Sequence, residues 1–465
     1  MLRFSLLALH IVASTCTLVG ADDAEDLTYH TKQTRREAVQ GLHEAYLNLT
    51  RLEIVGKVAN SPVYVLVISR KPRRQFLVPR VHLLADFPAG SELLIKLASH
   101  LLREYERDET VARVVNNTEI HILFWLESAT VNETPRDDCS ADGHSRDLGG
   151  FPDYFDEKSG RLTDQGHLPE QVQLVMQWLK RGSFVLGAHV RGGDGGIAVA
   201  YGFHNSASSS PSEAPDEDVL RNLSIGYAQL NQEMKNGAQT CPGGRVGGFP
   251  GGVTNAAAWK KRPGLMQDYA YVREGTLIVD LALSCCRVPS ENTLRRLWSE
   301  NKEAIIHLLG QVQRAIRGYI KGPDGTHIPG ALLTIRERNV GFSGQAPCFS
   351  ASSARTHDVC CRSTDQGEFW RILQPGSYTL VVSAKGYLPA AVKVTVPDHE
   401  RQEPPITVVM RPCLYPVKIM PIESYSTEKT LPERRGGNAD SASAVVATSG
   451  YGLLLLVCAL ALAPS

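Results

Sequence analysis

From residue 28 to about residue 313, apolar runs of strand length alternate with stretches of helical apolar spacing, and this alternation restricts the possible folds most severely. Residues 63–68, Val-Tyr-Val-Leu-Val-Ile, form an unbroken apolar run suited to a strand buried on both faces. Residues 81–84, 120–125, 184–190 and 277–283 have the same character. Between and around them, residues 38–49, 91–106, 171–180 and 290–316 carry helical spacing. Strand and helix in alternation predict an α/β fold, a mixed sheet flanked by helices on both faces. Ligands of such sheets sit beyond the carboxyl ends of the strands. The glycine-dense stretches 192–196 and 242–252 lack the Lys-Ser/Thr ending of a phosphate loop and are expected to be irregular loops.

From about residue 316 the period shortens. Residues 317–321, 330–335, 367–370, 375–382 and 391–396 alternate over a few residues and are separated by Gly, Pro and Asp turns. They predict a small β-sandwich following the α/β unit. Residues 413–443 contain few apolar runs and read as a stalk.

The two ends are addresses. Arg3, the apolar run 4–19 and the small pair Gly20-Ala21 make a secretory signal peptide over 1–21; a membrane anchor needs about 20 apolar residues. At the other end an apolar tail runs almost to Ser465 with no Lys or Arg after it. Before it stand a polar spacer and the small residues Asn438, Ala439, Asp440, Ser441, Ala442 and Ser443. That order is expected to be a glycolipid (GPI) attachment signal, with 444–465 removed, in preference to a tail-anchor helix, which a co-translational signal peptide disfavours. The expected organisation is therefore 22–314 for the α/β unit, 315–412 for the sandwich and 413–443 for the stalk, on a chain delivered to the cell surface and open to release from it. Cysteine usage agrees with an oxidising compartment. Outside the removed segments stand Cys139, Cys241, Cys285, Cys286, Cys348, Cys360, Cys361 and Cys413, disulfide candidates whose pairing is left open. Asn48, Asn116, Asn132 and Asn222 begin glycosylation sequons. Lys plus Arg equal Asp plus Glu at 49 each, so no bulk charge favours nucleic acid.

Several short segments carry a resemblance: Gly90-Ser91-Glu92-Leu93-Leu94, Phe151-Pro152-Asp153, Trp178-Leu179-Lys180, Gly251-Gly252-Val253-Thr254-Asn255, Met266-Gln267-Asp268-Tyr269, Leu283-Ser284-Cys285-Cys286 and, in the second unit, Pro375-Gly376-Ser377-Tyr378. In this order they resemble the metallocarboxypeptidases of the carboxypeptidase N/E branch over about residues 27–412; the paired terminal signals look most like carboxypeptidase M. The resemblance implies a zinc-carboxypeptidase-like α/β domain followed by a transthyretin-like sandwich. It also implies a zinc held by two His and one Glu, which polarises a peptide carbonyl and activates water while a second Glu moves the proton.

Position by position, the family's reaction centre is missing. Registered on Gly90-Ser91-Glu92, the His-x-x-Glu ligand pair falls on Leu84 and Phe87, and the third ligand falls on Arg191. Leu and Phe have no lone pair, and a guanidinium repels a dication. The proton-moving Glu is Ala282, and the family's mobile Tyr is Lys260. The substrate-carboxylate segment is shortened to Asp147-Leu148-Gly149-Gly150-Phe151-Pro152-Asp153, without its Asn and Arg. A missing general base alone costs about 10²–10⁴ in rate. The resulting expectation is a catalytically degenerate member, a pseudoenzyme with no cofactor, that binds a peptide or an extracellular protein and meets the membrane through its lipid. Arg191 and Lys260 are candidate binding residues for a carboxylate.

The alternative is a working zinc carboxypeptidase with a relocated metal. His82 and His189 lie two residues before lost ligand positions, on the same strand faces, and Asp86 or Asp194 would complete such a site. Two packed, hydrogen-bonded histidines are the plainer expectation. His144, Asp147 and the serines near 206–212 lack a nucleophile elbow and are not read as a triad.

Overall fold

The computed structural model describes residues 27–72, 76–126, 148–152, 168–193, 195–205, 212–237, 241, 248–338, 361–398 and 403–413. The signal and lipid-attachment segments, Asn132, Cys139, His144, Asp147, Asp194, Cys348 and Cys360 lie outside them.

The first unit is built on an eight-stranded sheet: β1 (Thr50–Val58), β2 (Ser61–Ile68), β3 (Arg80–Ala85), β4 (Glu119–Leu123), β5 (Leu186–Gly192), β6 (Ala198–Tyr201), β7 (Val253–Asn255) and β8 (Leu277–Ser284), in the order β1-β2-β4-β3-β5-β8-β6-β7. The centre is parallel, with β4, β3, β5 and β8 side by side, while β1, β2 and the β6–β8 pair are antiparallel. Strands β4, β5 and β8 are buried at every residue, as expected where helices cover both faces.

Nine helices occur among the described residues: α1 (Lys32–Ala45), α2 (Pro88–Arg103), α3 (Glu109–Asn117), α4 (Glu170–Gly182), α5 (Glu217–Leu230), α6 (Gln232–Asn236), α7 (Ala256–Trp259), α8 (Met266–Tyr269) and α9 (Glu291–Gly310). One face of the sheet meets α2, α3, α5 and α9 through Leu93, Val111, Leu223 and Leu297. The other meets α4 and α8 through Val172, Trp178 and Met266. Local chemistry sets the helix starts. The Asp108 carboxylate accepts from the N–H groups of Thr110 and Val111 at 2.7 and 3.1 Å to cap α3, and Pro88 opens α2 at a position that needs no donor.

Two sequence expectations shift here. The helix expected over 38–49 lies at Lys32–Ala45, and Thr50 already begins an edge strand. The helix expected to run to residue 316 ends at Gly310. Residues 311–314 tighten into a 3₁₀ turn, and β9 (Ala315–Lys321) pairs with β12 (Glu368–Ile372), so sheet pairing overrides a locally helix-compatible sequence.

The second unit adds β10 (Leu332–Ile335), β11 (Cys361–Arg362), β13 (Gly376–Ser383), β14 (Ala390–Val396) and β15 (Ile406–Val409). A four-stranded sheet, β11-β10-β13-β14, faces a three-stranded one, β12-β9-β15, around Ile320, Leu333, Phe369, Leu380 and Val408. Gly318 in β9 is required by the close approach of β15, because a Cβ there would lie 1.8 Å from the Ile406 carbonyl oxygen.

The units are joined by more than a linker. Trp370 and Ile372 of the sandwich belong to the same apolar cluster as the α/β core. Arg371 donates to the Asp216 carboxylate at 2.6 Å, and the Tyr271 hydroxyl donates to the same carboxylate at 2.9 Å. Asp216 precedes α5 without capping it, its side chain being turned to this junction.

Cys241 and Cys285 form a disulfide, and Cys286 is disulfide-bonded as well. Cys361 corrects the expected set: it is a free thiol, donating to the Trp370 carbonyl at 3.4 Å. Cys413 donates its backbone N–H to Gly386 at 2.9 Å.

Candidate functional site

The carboxyl ends of β3, β5 and β8 meet where a ligand of an α/β sheet is expected. Register fixes which side chains share that end: Leu84 lies beside His189, and Arg191 beside Ala282. Leu84 and Phe87 are fully buried, and each belongs to a different apolar cluster. Leu84 faces the α4 side, while the Phe87 ring packs on the α2 side against Gly90 and Gly192. A Cβ on Gly192 would come within 2.5 Å of that ring, so the glycine is what lets phenylalanine sit there. Two of the three positions where the sequence register expects family ligands are therefore continuous with hydrophobic core.

Arg191, the third, is only 2% exposed. Its Nε donates to Asp280 Oδ2 at 2.6 Å, and its guanidinium lies 4.6 Å from the centroid of the Trp259 ring. Asp280 also receives His189 Nδ1 at 3.2 Å and His204 Nε2 at 3.0 Å. His189 Nε2 faces Asp86 Oδ2 at 3.1 Å. His204 Nδ1 approaches Asp268 at 3.3 Å, and its backbone N–H donates to the same carboxylate at 2.9 Å. The Gln267 amide reaches His189 Nδ1 at 2.6 Å; with that nitrogen donating to Asp280, the compatible amide atom is the oxygen.

Burial by itself would raise the Asp280 carboxyl, but the Arg191 charge and the bonds from His189 and His204 hold it well below the usual range. Burial would lower both imidazoles, yet Asp86 and Asp280 raise His189 to about 9, and Asp268 and Asp280 raise His204 to about 9. Three carboxylates, Asp86, Asp268 and Asp280, thus face Arg191, His189 and His204, and the Arg262 charge also acts on Asp280 and Asp86. Lys260 stands at the rim, its amine lowered by burial and then by the Arg191 charge.

Among the described residues the expected relocated ligands form no metal-holding group, although His189 meets Asp86 at 3.1 Å. His82 shares a strand face with Leu84, but its ring lies edge-on to Trp178 and Phe184 at 5.3 and 4.9 Å. Neither ring nitrogen of His82 has a hydrogen-bond partner among the described residues, contrary to the hydrogen-bonded histidine expected. Burial, then the neighbouring His121 and His189, lowers it to about 3. His189 has carboxylates at both nitrogens. Among the described residues no group of three or more His, Cys, Asp or Glu side chains is arranged to hold a metal ion. Zinc does not fit this donor set: an alkyl group, a ring and a guanidinium stand where the resemblance expects its ligands, and the nearest carboxylates are already engaged by cationic side chains. Arg191, expected as a binding residue, is buried and directs its Nε to Asp280.

The shortened substrate-carboxylate segment is described over 148–152. Leu148 and Phe151 are buried, and Gly150, at φ +94°, presents no side chain. The sequence did not single out Asp280 or His204. The signal for Asp280 was present: one charge inside the apolar run Leu-Ile-Val-Asp-Leu-Ala-Leu must find partners once the strand is buried.

The zinc carboxypeptidase sequence family matches residues 36–126 and 151–304, more than half of the chain. The chain belongs to the zinc carboxypeptidase family. The carboxypeptidase regulatory-like domain matches residues 315–411, so the second unit is the transthyretin-like β-sandwich of these zinc carboxypeptidases. Mouse (Mus musculus) carboxypeptidase M is 28% identical over 395 residues, covering 81% of this chain and 83% of its own. The carboxypeptidase N catalytic chain of Mus musculus is 28% identical over 397 residues, covering 76% and 80%. Human (Homo sapiens) carboxypeptidase D is 28% identical over 404 residues, 83% of this chain but 27% of that protein, so this chain spans about a quarter of its length. Among solved structures, thrombin activatable fibrinolysis inhibitor aligns with a TM-score of 0.45 at 13% identity, covering 63% of this chain and 77% of that one. Carboxypeptidase A from Helicoverpa armigera aligns at 0.44 and 13%, covering 62% and 74%.

Proposed function

We propose that this zinc carboxypeptidase family member is a non-catalytic, cell-surface glycoprotein that binds a peptide or an extracellular protein without cutting it. The observation that supports this reading above all is the buried Arg191–Asp280 pair, which sets a fixed cation at a family zinc-ligand position and satisfies it from within the chain. Ala282 in place of the proton-moving Glu and the core-buried Leu84 and Phe87 point the same way. Lys260 and Trp259 at the rim, together with the sandwich surface, are the places left for a partner. The secretory signal, sequons and lipid-attachment signal support delivery to the cell surface. No helix among the described residues is long and apolar enough to cross a membrane.

The test is incubation of the purified chain with peptides ending in Lys, Arg or an apolar residue, with and without added zinc. The expected result is no released terminal residue above the blank. Release that depends on zinc overturns the reading.

A further inference from the structure

A groove of about 250 Å³ lies where α5 of the first unit meets the sandwich. Its floor is apolar, with Leu223, Ile316, Leu373 and Pro375 among the lining residues. Its uncharged polar lining is mostly amide, with the Thr395 hydroxyl: Asn222 and Gln229 from α5, Gln374 from the loop before β13, and Gln311 and Gln313 from the turn before β9, whose amides also bond His307, Arg314, Asn117 and Thr118. Of the described lining residues only Arg314 and Glu403 are charged, and their signs are opposite. Neutral amides above an apolar floor suit a ring that is hydroxylated at its edge and carbon-faced on its flank, which is the chemistry of a sugar. Charged or purely apolar ligands would find little complement there.

One lining residue begins a sequon for sugar attachment. Asn222-Leu223-Ser224 is a sequon, and Asn222 is exposed on α5 at the groove. We infer that the N-glycan on Asn222 lies in this groove, its first sugars bridging α5 to residues 311–316 and 372–375 and bracing the two units against each other. The volume, below the roughly 300–1,000 Å³ of sites for drug-sized molecules, suits the first rings of a chain whose remainder continues into solvent. Tethering removes most of the entropic cost of occupancy, because the sugar is held at high effective concentration. The inference rests on the secretory route contained in the proposed function and is independent of whether the chain is catalytic.

The experiment uses the full chain from a secretory host. Glycan release by an N-glycosidase is followed by mass spectrometry at Asn222 and at Asn48, an exposed asparagine in the turn after α1. On the native protein, release at Asn222 is expected to be at least tenfold slower than at Asn48, with equal rates after denaturation. The double variant Gln229→Ala/Gln374→Ala is expected to bring the native rate at Asn222 to within about threefold of Asn48. In Asn222→Gln, amide exchange over 311–316 and 372–375 is expected to quicken, while exchange in α2 stays unchanged. Equal native rates at the two sites overturn the inference, as does slow release that survives the double variant, which would place the protection in the helix alone. An occupied Asn48 with a bare Asn222 overturns the groove assignment only; if both sites are bare, the secretory reading falls with it.

Discussion

Arg191 and Asp280, on the adjacent parallel strands β5 and β8, are joined from Nε to Oδ2 at 2.6 Å with their side chains 2% and 1% exposed. A buried pair of this kind adds little net stability, yet the loss of either partner strands a charge in the core. Arg191→Met leaves the Asp280 carboxylate to His189 and His204 and is expected to cost about 3–5 kcal/mol. Replacing both, as Arg191→Met/Asp280→Leu, is expected to cost much less than the sum of the two single changes. Urea unfolding of the four proteins in a double-mutant cycle measures this coupling.

The network gives stability an alkaline limb. His189 and His204 are raised from 6.5 to about 9 in the folded chain. Their contribution is fully present below about pH 6.5 and is lost as pH rises through about 9, by up to roughly 1.4 kcal/mol per pH unit for each ring. Denaturant midpoints between pH 6.5 and 9 are expected to fall accordingly. In Asp280→Asn that slope is expected to flatten, since both rings lose the carboxylate they share.

His82 works in the opposite sense. Lowered to about 3 by burial and by its histidine neighbours, it must stay neutral in the folded chain. Its penalty is smallest above about pH 6.5 and grows as pH falls towards 3, because the unfolded chain takes up the proton first. His82→Leu removes a buried imidazole with no hydrogen-bond partner among the described residues and is expected to stabilise by about 1–3 kcal/mol at pH 7. That advantage is expected to widen by up to about 1.4 kcal/mol per unit below pH 6.5. Paired unfolding curves at pH 7 and pH 5 check it.

The junction of the two units rests on Arg371 and Asp216, whose side chains are 10% and 0% exposed. Arg371→Ala leaves that carboxylate with Tyr271 and is expected to cost about 3–5 kcal/mol, felt first where the sandwich meets the sheet. Hydrogen exchange over 311–316 and 368–372 is expected to rise more than exchange in β3 or β5.

The architecture was legible because its signals are periodic. Long apolar runs marked β2, β3, β4, β5 and β8, and short alternating ones marked most of the sandwich. Short or half-exposed elements were not: β1, with Ile54 62% exposed, and β7, of three residues, carry too little pattern to stand out. At the site, the sequence placed Leu84, Phe87, Arg191, Ala282 and Lys260 by register on short motifs. It did not show the partner of Arg191. Asp280 lies 89 residues away in the chain, and only sheet order makes them neighbours. The same limit applied to His82 and His189, whose shared face was readable but whose partners, Trp178 and Phe184 for one and Asp86 and Asp280 for the other, depend on tertiary packing.

The proposed non-catalytic reading rests on Arg191, His189 and His204 clustering around Asp280 at the end of the sheet where the resemblance expects zinc. Metal analysis of the full chain, washed with chelator and then equilibrated with equimolar zinc before desalting, tests it most directly. The account predicts well under one zinc per chain, unchanged in His82→Leu. One zinc per chain, lost on substitution of His189 or Asp86, would contradict it.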